Sequence, residues 1–579
     1  MQRLLRILLL LLSLTALQAS ATTYKIRVTN QQEFGVLNTS IHKAAKGGYT
    51  KIKVDFKLGT YFFKEKHLTI GDIRNSKLTL TFNGNGAVIV PAGRDAMSTV
   101  TIPDYDYHAS VIDLSNNGFV NVWSELQYAD ADVEVLNPTT KACRLKCSGL
   151  TSHKASESVY IMITAWCRSY YYKIERIEAP YIYFTADNLA AGIGWSSVRK
   201  GYNVNNDWIC RGVKPRYRLC NLEPMNKGKV HVCEAQTFLT DVWGQLQRLD
   251  VNGFVFLGNK MIGDENSSAS SLLVLNNVKA EEISVTNCRF IGQNSRVIAI
   301  SKTANVRIEN NYFGHNFQGG IVSYNSSTDT RIVGNEFEYN GEDQSASRCV
   351  TCSGTNYYVA ENTFRNFGYC AISVGVPYAS TKENESRGVV ENNMLRYDDD
   401  WSTEGWKHNI MDGGAIYLWT QNDGAVIRYN RIDGYSGASD NRGIFCDDGA
   451  FGFEIYGNTV TNIPNSHCID SRRFSSCEKV TGPTNINNKI YGNIVDGSIK
   501  FQGNEMDENG CELGKNYFLI SEGEAMPKNV YGNVASDNAE ETVETKGEHR
   551  GRIMVSREGY KKMKDVPGWR KVKKGFGKR

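Results

Sequence analysis

The segment Asp412–Ile432, DGGAIYLWTQNDGAVIRYNRI, aligns without a gap on Asp440–Val460, DNRGIFCDDGAFGFEIYGNTV, at an offset of 28 residues. Identities fall in step as Asp412/Asp440, Ile416/Ile444, Gly424/Gly452, Ile427/Ile455 and Asn430/Asn458. A repeat of this length marks stacked supersecondary units rather than one globule. The echo runs on through an Asn placed two residues before an apolar side chain, at Asn311, Asn335, Asn362, Asn393, Asn430, Asn458, Asn493 and Asn533. Cys288 occupies the same frame one unit earlier. From Asn311 to Asn458 the steps are 24, 27, 31, 37 and 28 residues, as expected for coils of constant cross-section with loops of variable length. Asn at a fixed turn tolerates the left-handed backbone region, and its amide can bond to the Asn above and below.

Between these Asn positions lie short β-branched runs such as Val297–Ile300, Ala371–Val374 and Ile427–Tyr429, bounded by Gly, Asn, Ser and Asp, which read as strands. An antiparallel sandwich would not hold one Asn in register over so many units. The leucine spacing of a leucine-rich repeat is absent. The expected fold is all-β, a right-handed parallel β-helix in which each coil touches only its neighbours.

Residues 1–21 carry Arg3 and Arg6, an apolar run Ile7–Leu12 and the small-residue site Ala19-Ser20-Ala21, the pattern of a secretory signal peptide. A secreted or periplasmic location follows, and no other stretch approaches the 18 apolar residues of a membrane span. Glu33–Lys46 places Phe34, Leu37, Ile41 and Ala44 on one helical face and predicts a short helix capping the first coil. The expected organisation is residues 22–122 for the cap and first coils, 123–240 for an inserted antiparallel β-rich module, 241–535 for the main β-helix and 536–579 for a basic tail. Arg550–Arg579 holds twelve Lys/Arg against Glu558 and Asp565, so with +4 overall the first 549 residues carry −6. A mildly acidic body argues against nucleic acid as the main ligand.

Most of the fourteen cysteines do not sit like a disulfide framework. Cys370, Cys446 and Cys468 lie within strand-like runs, as buried fillers of a stacked core would. Cys349/Cys352 and Cys143/Cys147 have metal-like spacing without a matching second pair, so zinc is not expected. Cys210, Cys220 and Cys233 are the better disulfide candidates. Asp398, Asp399 and Asp400 offer oxygen ligands for Ca²⁺, but they lack the alternating spacing of a defined loop, so no cofactor is expected.

The combination of GGAIY (Gly413–Tyr417), GIFCDDG (Gly443–Gly449), recurrent Gly-Asn turns and an interrupting β-module resembles the pectate-lyase-like right-handed β-helix superfamily. Within it, the likeness is to exported carbohydrate-active enzymes such as glycoside hydrolase family 141. What the resemblance implies is an acidic pair on neighbouring coils, carried over here to Asp412 with Asp447 or Asp448. Independently, stacked coils lie about 4.8 Å apart, which brings carboxylates on adjacent coils near the roughly 5–9.5 Å separation that glycoside hydrolysis uses.

The alignment by 28 sets Trp419 against Asp447, and anchoring Ile469 on Ile444 sets Arg472 beside Asp447 and His467 beside Arg442. One outward column then reads Tyr324, a gap of small residues, Trp419, Asp447 and Arg472, a plausible sugar groove. The loop between Asn393 and Asn430 adds Trp401, Trp406 and His408 as candidate substrate contacts. Asp423 and Asp433 read as turn caps. The expected activity is glycoside hydrolysis on a polysaccharide or oligosaccharide. The alternatives are a lyase using Arg442, His467, Arg472 or Arg473, and a glycan-binding surface protein without catalysis.

Overall fold

The computed structural model describes residues 23–63, 66–91, 121–123, 127–131, 133–137, 139–148, 159–165, 168–191, 216–222, 237–258, 271–293, 296–316, 319–324, 326–341, 347–375, 386–397, 413–418, 425–435, 441–447, 450, 452–463, 466–471, 488–501, 512–513 and 516–518. Within these residues the chain winds through three parallel sheets in rotation. Sheet 1 has 13 strands, from Thr23–Val28 to Glu512–Leu513; sheet 2 has 12, from Thr60–Phe63 to Tyr517–Phe518; sheet 3 has 11, from Lys66–Thr69 to Ile499–Phe501. Each strand pairs in parallel with its counterpart one coil on, giving the right-handed parallel β-helix expected from the repeat.

The offset of 28 is the register itself. Gly414 pairs with Arg442, Ile416 with Ile444 and Leu418 with Cys446 in sheet 3, Ala425 with Phe453 in sheet 1, and Arg431 with Thr459 in sheet 2. An antiparallel sheet of eight strands stands apart, between Asn121–Trp123 and Arg216–Leu222. Thr237–Val242 already pairs in sheet 3, so the solenoid resumes there.

The amphipathic cap forms as two helices, α1 (Gln31–Gly35) and α2 (Leu37–Lys46), broken at Val36. The Asn30 side chain accepts from the Glu33 N–H at 2.9 Å, while the Glu33 carboxylate accepts from the Thr29 N–H at 2.6 Å. These reciprocal bonds satisfy amides that a helix start otherwise leaves open. Phe34, Leu37, Ile41 and Ala44 are all buried against the first coil. Among the described residues no helix is long and apolar enough to cross a membrane.

Two inward ladders hold the coils together. Phe256, Phe290, Phe313, Phe337 and Phe364 stack at centroid spacings of 5.1, 4.9, 4.6 and 4.6 Å. Alongside, the Nδ2 of each ladder Asn donates to Oδ1 of the next, in the series Asn311, Asn335, Asn362, Asn393, Asn430, Asn458, Asn493 and Asn516. The Cys288 N–H donates to Asn311 Oδ1, so Cys288 does begin this frame. After Asn493 the series steps to Asn516, which the sequence reading passed over; Asn533 lies outside the described residues.

The left-handed position also differs from expectation. It is not the ladder Asn but the residue before it: Asn287, Asn310, Gly334, Glu361, Asn392, Tyr429, Gly457 and Gly492 all have φ between 54° and 66°. The preceding residue turns the chain, and the ladder Asn then points inward to bond. For side chains larger than Asn this conformation costs on the order of 1–2 kcal/mol. Glu361→Gly is therefore expected to raise stability by about 1 kcal/mol, read as a higher urea midpoint at unchanged slope. Gly334→Ala should lower it, since a Cβ there also meets Asn310 Oδ1 at 2.8 Å.

Cys143, Cys147, Cys288, Cys349, Cys352, Cys370, Cys446 and Cys468 are all buried. Burial pushes the Cys352 thiol up to about 12 and holds those of Cys349 and Cys468 well above the usual thiol range, so these three are inert packing groups. Cys210 and Cys233 lie outside the described residues, as do Asp398, Asp399, Asp400 and Asp423. Asp433 accepts from Asn462 Nδ2 at 2.6 Å, a turn contact. Among the described residues no group of His, Cys, Asp and Glu is placed to hold a metal.

Candidate active site on the outer face of sheet 3

Alternation along the sheet 3 strands turns Ile416, Ile444 and Ile469 inward and leaves Tyr417, Phe445 and Asp470 in one outward column. Asp447 follows the strand Arg442–Cys446, and its N–H donates to the Leu418 carbonyl at 3.0 Å. Its carboxylate Oδ2 accepts a short hydrogen bond from the Tyr417 hydroxyl of the preceding coil. Tyr417 packs edge-on against Phe445 at 5.3 Å and lies 5.5 Å from Tyr369. The Arg348 guanidinium stands within 5.5 and 5.8 Å of the Tyr369 and Tyr417 rings.

Arg442, expected to meet a substrate, instead donates from Nε to Asp470 Oδ2 at 2.9 Å and lies 4.1 Å over the Phe445 ring. Both members of this ion pair are 0% exposed. Charges so placed are stable only when paired. The carboxylate of Asp470 is therefore anchored in one position, and Asp447, 4% exposed, stands on the neighbouring coil. Asp447 is two residues further along the strand direction than the register partner of Asp470, so their Cα atoms are about 8 Å apart, from a 4.8 Å coil spacing and a 3.3 Å rise.

The glycines of GGAIY and GIFCDDG serve packing. A Cβ on Gly413 would meet the Tyr435 hydroxyl at 2.3 Å, on Gly414 the Phe445 Cβ at 2.8 Å, and on Gly443 Val460 Cγ1 at 2.3 Å. Gly413 N–H also donates to Asn441 Oδ1 at 2.9 Å. Gly414 lets Phe445, which lies under the Arg442 guanidinium, close in against the preceding coil, while Gly413 and Gly443 make room for the core side chains Tyr435 and Val460.

Of the residues singled out from the sequence, the structure brings Asp447 and Arg442 onto this face. His467 is opposite Arg442 in register and holds Ser498 Oγ at 2.5 Å from Nδ1. Tyr324 stands in the register column of Asp447 four coils before it, with the small residues Ser353 and Gly375 on the two coils that follow Tyr324. Asp412, Asp448, Trp419, Arg472, Arg473, Trp401, Trp406 and His408 lie outside the described residues. Asp470 and Tyr417 went unnoticed in the sequence. The signal for Asp470 was present, since setting Ile469 on Ile444 already phases the next residue outward.

No family model matches the chain. A cell surface glycoprotein of Methanothermus fervidus is 30% identical over 172 residues, a match covering 24% of this chain and 28% of that protein. Among solved structures, a glycoside hydrolase superposes with a TM-score of 0.49 at 10% identity, covering 85% of this chain and 96% of that one. The catalytic domain of a family 87 α-1,3-glucanase in complex with nigerose gives 0.24 at 10% identity, covering 72% of this chain and 92% of its own. The family 28 exopolygalacturonase of Yersinia enterocolitica gives 0.25 at 10% identity, covering 86% and 78%. At these scores and identities the likeness assigns neither reaction nor substrate.

Proposed function

We propose that the protein is an exported carbohydrate-active enzyme that hydrolyses a glycosidic bond at Asp447. The carrying observation is that Asp447 and Asp470 share the outer face of sheet 3 on adjacent coils, about 8 Å apart between Cα atoms. Asp470 beside Arg442 favours the ionised form and serves as the base. Asp447, held in a nearly water-free setting that disfavours its charged form, serves as the proton donor. Asp412 and Asp448, singled out from the sequence, are the alternative second carboxyl groups. Export is supported by the leader-like residues 1–21 and by the partial likeness to a cell surface protein.

The same fold supports β-elimination of uronates, which needs a free cationic or phenolic base. Arg442 is committed to Asp470, which favours hydrolysis over elimination. The test is turnover on a panel of glycans, followed by reducing ends and by absorbance of unsaturated uronides. Wild-type protein should release reducing ends without the absorbance. Asp447→Asn should lose that turnover and stay folded, with Asp470→Asn, Asp448→Asn and Asp412→Asn identifying the partner. Full turnover in Asp447→Asn would sink the assignment.

A further inference from the structure

We propose that the turn edge of sheet 3 upstream of Asp447 is a separate binding site for a polysaccharide strand, with Trp243 as its distal platform and Tyr324 as an intermediate one. The proposal rests on the glycan reading of the Asp447 site but concerns residues outside it.

Trp243 follows the strand Thr237–Val242 and closes the tight turn into sheet 1. It sits at φ 64°, where a bulky side chain is strained. At the same turn of the next two coils stand Asn277 at φ 54° and Lys302 at φ 48°. Asn suits that conformation; Trp has no local reason to adopt it. The repeated coil geometry sets this conformation, since the same turn is left-handed on the next two coils, and beneath Trp243 the turn is filled by an acid. Asp241 is fully buried inside the turn, packed so closely on Gly244 that a Cβ there would meet Oδ1 at 2.0 Å. The Gly244 amide is near enough to favour the carboxylate but is not aligned to bond it, and burial holds the carboxyl up at about 7. A buried acid and a glycine without room for a side chain thus lock a turn whose outward product is one indole. That indole is 61% exposed, more than any other large apolar side chain among the described residues.

The rest of the edge is consistent with a sugar polymer. Asn276, Asn277, Ser301 and Lys302 occupy the turn on the two coils after Trp243, presenting amide, hydroxyl and ammonium groups to hydroxyl-rich ligands. Tyr324 follows three coils from Trp243, 39% exposed, with Arg296 donating to its hydroxyl. Ser353 and Gly375 take its register position on the next two coils, and Asp447 takes it two coils further on. With coils about 4.8 Å apart, Trp243, one register position beyond the Tyr324 column, is about 14 Å from it along the axis, and Tyr324 to Asp447 is about 19 Å. Two aromatic plates flanking polar groups on the edge that leads to Asp447, spaced far beyond the length of a single sugar ring, fit a chain laid along the solenoid axis.

The test is native affinity electrophoresis of the full chain through gels cast with laminarin, arabinoxylan, alginate or polygalacturonate, with turnover measured on the same polymers. Wild type and Asp447→Asn should be retarded alike by at least one of them. Trp243→Gly should weaken that retardation about tenfold while its thermal midpoint stays at or above wild type, because glycine relieves the left-handed turn. Trp243→Tyr should keep most of it. Retardation unchanged in Trp243→Gly, or none of the wild type by any of the four polymers, overturns the platform. Retardation lost in Trp243→Gly without turnover on any polymer would uphold it while removing the hydrolase reading. Turnover with unchanged retardation would do the reverse.

Discussion

Arg442→Met is expected to destabilise the protein by about 3–5 kcal/mol, the cost of leaving a buried charge without its partner. The pair it breaks has no solvent to fall back on, since both Arg442 and Asp470 are 0% exposed and joined at 2.9 Å. The methylene stem of Arg442 also covers the Phe445 ring, and Met keeps most of that apolar contact, so the loss reports charge rather than volume. Asp470→Leu alone should cost a similar amount by stranding the guanidinium. The double variant Arg442→Met/Asp470→Leu should recover most of the loss, because two apolar side chains need no pairing. Urea midpoints of the four proteins form a double-mutant cycle. A coupling below about 1 kcal/mol would show the pair to be no more than an exposed ion pair in solution. The recovered double variant is also the informative protein for function: folded, carrying Asp447, and without the second carboxylate. Its inactivity would then be chemical and not a consequence of unfolding.

The parts of this architecture that repeat were readable in advance, and the parts that do not were hidden for physical reasons. The offset of 28 equals the register between two coils because those coils have the same length, so Ile416 over Ile444 in the sequence is Ile416 over Ile444 in sheet 3. Where the next coil differs in length, the register shifts to 25, with Ile444 over Ile469, and the echo fades although the stacking does not. The Arg442–Asp470 pair falls at that shift. Tyr429 and Glu361 at left-handed turns, and Trp243 at another, were invisible because none is a turn former. Their conformations come from the coils on either side, a tertiary constraint that overrides local preference. The double glycine of GGAIY was visible as a motif, but its meaning, room for the Tyr435 hydroxyl, belongs to a residue 22 positions away in the chain.

Asn393→Leu is the substitution that tests the scaffold itself. Asn393 Oδ1 accepts from the backbone N–H of Asn362 at 3.1 Å and from its Nδ2 at 2.9 Å, while its own Nδ2 donates to Asn430 Oδ1 and the Val359 carbonyl, each at 2.9 Å. Leu keeps the branched heavy-atom shape and suits the buried position, and its bulkier methyl groups add any overpacking cost to the loss described next. What it removes is the answer to the Asn362 N–H and to the Val359 carbonyl, both enclosed by neighbouring coils. Each such orphan costs about 1–3 kcal/mol, so the expected loss is about 2–6 kcal/mol. Asn362 Nδ2 retains the Ile332 carbonyl at 2.9 Å, which limits the damage to the rung itself. Because each coil is stabilised by its neighbours, the opening should reach the Asn362 and Asn430 coils first and fade along the axis. Amide hydrogen exchange resolves this: protection at Asn362 should fall most, with Phe290 and Val306 several coils away unaffected. Uniform loss along the whole solenoid would instead mean that the ladder acts as one cooperative unit, and unchanged protection at Asn362 would show that the side-chain ladder contributes nothing to holding the coils.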